Sequence, residues 1–482
     1  MTATLEAPAP PITTPTQHPK RWLGLFAILS ADLLNLLDST VGTIAAPAIR
    51  ADLGGSTSTL QWIAAGYTLA MAVGLLVGGR LGDMYGRKRM MVVGVVGFLA
   101  ASALCAVSGS PEMLLASRVL QGLFGAVMVP QSFGLIRELF GQDVGKAFAA
   151  LGPVIGLATV LGPVVAGLLV DADLFGSGWR MIFLINLPLG AFALWVGIRV
   201  LPTSVPPARG ERLDVRGAIL AAAGMFLLVY PLTQGHELGW PAWTFAMLIA
   251  SVPTLAIFAG HQARRAGRGR PVLVRLGVFA RRSYTSGVVF VLAFFGVITG
   301  FGLAVGLFLQ LGLGYSPLAA SLTMAPWAIG AFLGSGIGAT LMTKLGRHIL
   351  HIGLAIMIVG LVLLLVVMDD TVSTGALITP LTVYGFGMGM IFVPLFDIIV
   401  GDLSDAEVGS ASGVLTSVEQ LGASLGIAVL GTVFFSSVGS PLHAAVPEFV
   451  GAAKVVTVIA IGLTAVTFGL GFLLPKKARQ AH

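Results

Sequence analysis

The sequence predicts an all-α polytopic membrane protein. Three observations carry this: the composition, a series of membrane-length apolar windows, and the placement of Lys and Arg between them. Of 482 residues, 56% are hydrophobic and 10% are charged, against roughly a quarter charged in soluble domains. A mean hydropathy of +0.94 over that length leaves too little polar surface for water, so the bilayer is the natural solvent. A span needs about 20 apolar residues. Fourteen windows qualify: 22–46, 60–80, 90–109, 113–136, 147–170, 180–200, 216–234, 242–261, 285–309, 317–342, 349–368, 376–400, 411–436 and 454–474.

Lys and Arg set the orientation. With the N-terminus inside, the cytoplasmic segments hold nearly all of the 28 basic residues. Arg50, Arg180 and Lys454 fall outside, and Arg118 falls within a span. A wrong span count would scramble this alternation. The +7 net charge therefore reads as topogenic rather than as a nucleic-acid surface. Residues 1–20 are rich in Pro, Thr and Ala without an apolar core, which predicts a disordered cytoplasmic tail and not a cleaved signal. The expected location is the plasma membrane of a bacterium (its inner membrane), with both termini cytoplasmic. Cys105 stands alone in an apolar run, so no intrachain disulfide is possible, and it reads as an inert packing thiol.

The chain repeats. Gly338-Ala339-Thr340-Leu341-Met342-Thr343-Lys344-Leu345-Gly346-Arg347 echoes Gly78 to Arg87 at an offset of 260 residues, with Thr343 in the place of Asp83. That offset is longer than six spans need. Two six-helix bundles with two extra helices between them fit it, and parallel repeats are an expected transporter build. The division expected is an N-terminal bundle at 21–203, two additional helices at 204–263, a basic amphipathic linker or interfacial helix at 264–283, a C-terminal bundle at 284–475 and a tail at 476–482.

The charged turn Gly79-Arg80-Leu81-Gly82-Asp83-Met84-Tyr85-Gly86-Arg87-Lys88-Arg89 resembles the loop between the second and third helices of the major facilitator superfamily. Leu37-Asp38-Ser39-Thr40-Val41 with Ala46-Pro47-Ala48-Ile49, Gln61-Trp62 with Tyr67, and Arg118, Gln121 and Gly122 resemble first-, second- and fourth-helix patterns of its drug:proton antiporters with fourteen spans. Gly156, Gly162-Pro163 and Gly167 match a fifth-helix pattern tied to exporters, and Trp179-Arg180, Phe183, Ile185-Asn186, Pro188 and Gly190 match its sixth helix. The resemblance implies the major facilitator fold. It also implies that Gly79, Asp83, Gly86, Arg87 and Lys88 form a conformational latch, and that the fifth-helix glycines form a gate at the bundle interface. Physically, Gly permits close helix approach and Pro163 permits a bend.

Charges within spans are expensive, so each is a functional candidate. Asp32, Asn35 and Asp38 recur every three residues and form a polar stripe on the first helix. Asp38 lies roughly 24 Å above the cytoplasmic end, and Arg118 lies about 7 Å below the outer end of its helix. The two are thus at similar depth and can neutralise one another, either as a static pair or as a proton-sensitive one. Asp32 and Glu419 fall near the midplane, one in each half; such an acid can exchange a proton or hold a cationic substrate. Asp397 lies within a turn of the cytoplasmic end, where water reaches it. Asp38, Asp32 and Arg118 are the proton-coupling candidates. Glu419, Asn35, Tyr67, Gln121, Phe301, Met324, Trp327 and Tyr384 are candidates for a soft, aromatic substrate cavity.

No G-x-x-x-x-G-K-[ST] loop occurs, which argues against ATP-driven export. No metal-binding pattern is present, no cofactor is expected, and an enzyme would need a catalytic constellation that the chain lacks. The function expected is proton-coupled antiport exporting amphipathic, cationic small molecules: drugs, antibiotics or self-made metabolites. The alternative is a nutrient symporter or facilitator of the same fold, which predicts a more polar cavity. The partners expected are a small-molecule substrate, protons and the lipid bilayer, with no nucleic acid, and the chain is expected to be monomeric.

Overall fold

Helix starts follow local chemistry. Ser110 and Ser316 each precede a proline and accept a backbone N–H three residues on, from Met113 and Ala319, both at 3.2 Å. Pro is tolerated there because the first-turn N–H has no partner to lose. Asp214 caps in the same way through Gly217 N at 3.1 Å. In the computed structural model, which describes residues 20–39, 44–143, 147, 162–203, 212–401, 403, 405–438 and 444–475, these caps open long helices. The chain forms α1 (Arg21–Ser39), α2 (Ala46–Leu53), α3 (Thr57–Tyr85), α4 (Arg87–Ala106) and α5 (Pro111–Phe140). There follow α6 (Gly162–Asp171) and α7 (Gly178–Val200), α8 (Val215–Gln234), α9 (Ala242–Gly267) and α10 (Arg282–Leu307). The last five are α11 (Pro317–Leu345), α12 (His348–Val367), α13 (Thr374–Ile399), α14 (Asp405–Val438) and α15 (Val446–Gly471).

Among the described residues no strand occurs, and twelve helices are long and apolar enough to cross a membrane. The other two predicted windows fall on α1, which carries Asp32 and Asp38, and on α6, the described end of the fifth window. Gly156, most of that window, and the tails 1–19 and 476–482 lie outside the described residues. The repeat is visible in the backbone. Gly86 (φ 94°) separates α3 from α4 and Gly346 (φ 51°) separates α11 from α12. Both positions need the left-handed region that Gly enters without a Cβ penalty.

Helix contacts are close where small residues meet backbone. Pro130 has no N–H to give the Ala126 carbonyl, and Gly78 of α3 packs there; a Cβ on Gly78 would lie 2.0 Å from that oxygen. In the second half, a Cβ on Gly426 of α14 would lie 1.9 Å from the carbonyl of Gly296 of α10. Such approaches are how apolar helices associate without a hydrophobic drive. The halves meet along α3 and α14, where Ser424 Oγ donates to Ala65 O at 3.1 Å and Ser417 Oγ to Ala72 O at 2.5 Å. They meet again where α6 touches the start of α11. There Asp171 accepts from Ser316 Oγ at 2.5 Å and from Leu318 N at 3.2 Å.

The α8–α9 hairpin packs against α3 and α14 together, covering the seam between the halves. Trp62 of α3 and Tyr230 of α8 lie with ring centroids 5.8 Å apart, and Thr432 of α14 donates to Leu232 O at 2.8 Å. Its open end is held by Asp214. Besides capping α8, its carboxylate lies 2.8 Å from His261 Nε2, accepts from Gln262 Nε2 at 2.8 Å and sits 3.7 Å from Arg265. Gln262 in turn accepts Leu273 N at 2.9 Å, which docks the linker. The segment between α9 and α10 is thus an anchored linker with one short turn of helix, Leu276–Ala280, rather than a continuous interfacial helix.

Burial acts to raise the Asp214 pKa, but His261, the Gly217 N–H, Gln262 and the Arg265 charge outweigh it and hold the carboxyl below its ordinary value. Its stabilisation is therefore complete above about pH 4, the usual carboxylate pKa, and is lost only as pH falls through the lower folded value. Asp214→Ala removes the cap and leaves Gln262 and Arg265 short of an acceptor. We predict a lowered melting temperature in detergent at pH 7, by about 1–3 kcal/mol of stability, and faster tryptic cleavage at Arg268. An unchanged melting temperature and digestion pattern would remove the clasp from the fold's stability.

Candidate functional site

The centre of the first half is built around one guanidinium. Arg118 of α5 is 0% exposed and Asp38 of α1 is 1% exposed. Arg118 Nη1 pairs with Asp38 Oδ2, and also donates to Gln121 Oε1 at 2.8 Å. Its Nε donates to the Ile63 carbonyl of α3 at 3.1 Å, and its Nη2 lies 3.4 Å from the Asp38 carbonyl. The guanidinium also sits over the Tyr67 ring, 4.2 Å from its centroid. Asp38 Oδ1 accepts from Gln121 Nε2 at 2.9 Å and from Asn186 Nδ2 of α7 at 3.2 Å. Both amides reach Ser102 Oγ of α4, at 2.9 and 3.2 Å. Five helices therefore meet at one ion pair.

Tyr67 and Gln121 do not line a cavity as the sequence suggests. They are 1% and 0% exposed and are spent on Arg118 and Asp38, because a guanidinium has five donors and one carboxylate cannot meet them. Tyr67 also donates its hydroxyl to Asn35, so Asn35 joins the same wall, half-buried. Ser102 is a participant that sequence reading misses; a lone Ser in an apolar helix carries no signal. Asn186 was visible only within a motif. Cys105 is buried, with Sγ 3.8 Å from Gln121 Oε1.

The other embedded acids are held differently. Asp32 is half-buried and, among the described residues, has one partner, Ser132 Oγ, at 2.7 Å. Glu419 of α14 is half-buried and makes no hydrogen bond or ion pair with a described residue. Asp397 is exposed. Phe301, Trp327 and Tyr384 converge from α10, α11 and α13, with ring centroids 5.0, 4.9 and 5.8 Å apart. Trp327 donates to the Met388 sulfur at 3.4 Å, while the buried Tyr384 hydroxyl has no partner. Met324 packs against the cores of both halves.

At the charged turn, Arg87 lies 3.8 Å from Asp83 and 2.9 Å from Glu138 at the end of α5, and Arg80 lies 4.0 Å from Asp83. Lys88 donates to the Leu201 carbonyl at 2.8 Å. Gly86 supplies the turn, and Gly79 is half-buried beside Pro130. Glu138 is the partner sequence reading misses. Gly162 is buried and Pro163 half-buried. Gly167 lies against α11, where a Cβ would meet Ser321 Oγ at 2.4 Å, so this glycine does sit between the halves.

Residues 28–427 match the model of the Major Facilitator Superfamily. The chain belongs to this superfamily. As a major facilitator protein it is a membrane transporter of small molecules and not an enzyme. It is 48% identical over 451 residues to the probable actinorhodin transporter of Streptomyces coelicolor, covering 92% of this chain and 78% of that one. It is 34% identical to the tetracenomycin C resistance and export protein of Streptomyces glaucescens, covering 87% and 77%. In fold it is similar to a peptide transporter of the POT family crystallised with sulfate, with TM-score 0.68 at 15% identity over 95% of this chain and 96% of that one.

The major facilitator chain should be sensitive to which member of the ion pair is lost. Removing one partner of a buried pair costs about 3–5 kcal/mol, whereas replacing both with apolar groups is often nearly neutral. Arg118→Met alone should therefore lower the melting temperature in detergent further than Arg118→Met combined with Asp38→Leu. The opposite ranking would mean that Asp38 is not the charge that Arg118 is buried against.

Proposed function

We propose that the protein is a proton-coupled antiporter that exports amphipathic small molecules, lipophilic cations among them, by alternating access. The observation that supports this best is the desolvated Asp38–Arg118 pair, tied through the Ile63 carbonyl to α3, the helix that meets α14 at the seam between the halves. A charge pair there interacts differently with two packings of the seam, which is what a population shift requires. Protonating Asp38 would leave Arg118 without its counter-charge and favour the other packing. Asp32, with a single neutral hydrogen bond, is the rival proton site. Glu419, without a partner among the described residues, would offer its charge to a cation from the second half. The relatives named for actinorhodin and tetracenomycin C favour a self-made antibiotic or metabolite as substrate.

The bundles at 21–203 and 284–475 would rock about the seam as a monomer in a bacterial inner membrane. Gly79, Asp83, Gly86, Arg87 and Lys88 would serve as latch, and Gly162, Pro163 and Gly167 as part of the gate. Both termini would be cytoplasmic, from the charge bias.

Two experiments test the reading. In a Cys105→Ser background, an impermeant thiol reagent on whole cells should label Ser177→Cys and spare Tyr85→Cys, which lies exposed in the charged turn; the reverse pattern would sink the orientation. In liposomes with an imposed pH gradient, wild type should couple substrate efflux to proton entry, Asp38→Asn should lose active export, and Glu419→Gln should weaken export of ethidium more than of a neutral substrate. Coupled export surviving in Asp38→Asn but not in Asp32→Asn passes the proton to Asp32. Flux without proton movement in wild type replaces antiport by facilitation.

A further inference from the structure

Asn186 is 1% exposed, yet its Oδ1 is buried without a hydrogen-bond partner. A buried carbonyl left unmet costs about 1–3 kcal/mol, so its persistence in the most polar site of the chain calls for a reason. Its Nδ2 faces Asp38 Oδ1 and Ser102 Oγ, each at 3.2 Å. Gln121 faces the same two oxygens more closely, both at 2.9 Å. Ionised Asp38 therefore already has Arg118 and Gln121, and Asn186 is its longest donor.

An ionised carboxylate only accepts; a protonated one carries an O–H that must donate. Around Asp38 the acceptors are few. Arg118 has none. Gln121 Oε1 has both lone pairs engaged, by Arg118 Nη1 at 2.8 Å and weakly by Cys105 Sγ at 3.8 Å, and Ser102 Oγ already receives both amides. Among the described residues, the charged and titratable groups facing Asp38 are Arg118 on α5, Tyr67 on α3 and Cys105 on α4, while α7 contributes the neutral Asn186. Of the described side chains hydrogen-bonded to Asp38, Asn186 is the one with an oxygen that receives no donor. Half a turn of the amide exchanges Oδ1 and Nδ2, and places the oxygen where the nitrogen now stands, 3.2 Å from both Asp38 Oδ1 and Ser102 Oγ.

We propose that Asn186 is a positioning residue that serves both protonation states of Asp38, donating to the carboxylate and, with its amide turned, accepting from the carboxylic acid. This rests on the reading of Asp38 as the proton carrier. In the cycle, a proton from water forms an O–H bond on Asp38 Oδ1 and later returns to water on the other side. Arg118 keeps its proton throughout, and Asn186 neither gains nor loses one. One amide end is idle in either state, so the amide imposes no bias against protonation, as a one-way donor would.

The chain contains two asparagines, Asn35 and Asn186, which makes a direct test possible. The full-length protein is prepared with side-chain carbonyl 13C-asparagine in lipid bilayers, and acid-minus-neutral infrared difference spectra are recorded. We expect a carboxylic acid band together with a shift of the labelled amide carbonyl band. The amide shift and the Asp38 component of the acid band should vanish in Asp38→Asn, while the bands of the other carboxyls remain. The amide shift should vanish in Asn186→Leu and persist in Asn35→Leu. A still amide band beside an Asp38 acid band overturns the role of Asn186 and leaves Asp38 as carrier, as does an amide shift that survives in Asn186→Leu. An acid band that loses no component in Asp38→Asn overturns the carrier reading, and the Asn186 proposal with it. With two asparagines in the chain, either Asn35→Leu or Asn186→Leu assigns the amide band, so the test stands if one of them fails to fold.

Discussion

A guanidinium cannot be placed inside an apolar helix bundle unless its charge and its five N–H groups are met, and that constraint organises the first half of this protein. Arg118 draws Asp38 from α1, the Ile63 carbonyl and Tyr67 ring from α3, and Gln121 from its own helix. Asp38 in turn draws Asn186 from α7, and Ser102 from α4 completes the ring. Each helix is fixed in rotation and depth by having to present one polar group at this point. Low dielectric makes each of these contacts strong when made and costly when missing. The network is accordingly the structural centre of this half.

Among its described residues the second half has no such centre. Its core is aromatic and aliphatic, and its helices approach through glycine on backbone, as at Gly296 and Gly426. The halves meet through groups that are individually weak: Ser hydroxyls on backbone carbonyls between α3 and α14, and the Asp171 carboxylate on the start of α11. Weak, short-range contacts of this kind can be exchanged for others without unfolding either bundle. The α8–α9 hairpin leans on both sides of that seam, through Trp62 and through Thr432, so any sliding of α3 past α14 is felt there.

Much of this was legible in the residues. The windows, the turn at Gly86 and its echo at Gly346 follow from hydropathy and from the need for a left-handed residue between two helices. The facing of Asp38 and Arg118 follows from equal depth and opposite charge. Less legible were the partners that complete a charge. Tyr67 and Gln121 look like cavity residues because aromatic and amide side chains serve in both settings. Glu138 and Ser102 carry no local pattern that distinguishes them from other residues of their type. The linker after α9 is rich in charge and reads as an interfacial helix, but Gln262 captures its backbone N–H groups and holds it in a non-helical path.

What the sequence by itself determined is the solvent, the element type and the repeat. Lipid permits only a backbone that satisfies its own hydrogen bonds, so apolar windows of that length must be helices. A charge inside them must have a purpose. What only the tertiary structure decided is which polar groups are spent on one another and which are left over. That Asp38 is locked where five helices meet, that Asp32 holds Ser132, and that among the described residues Glu419 and one end of Asn186 are unmet depend on distances between helices far apart in the chain. No local pattern encodes those distances, because they are set by the rotation and depth of every helix at once.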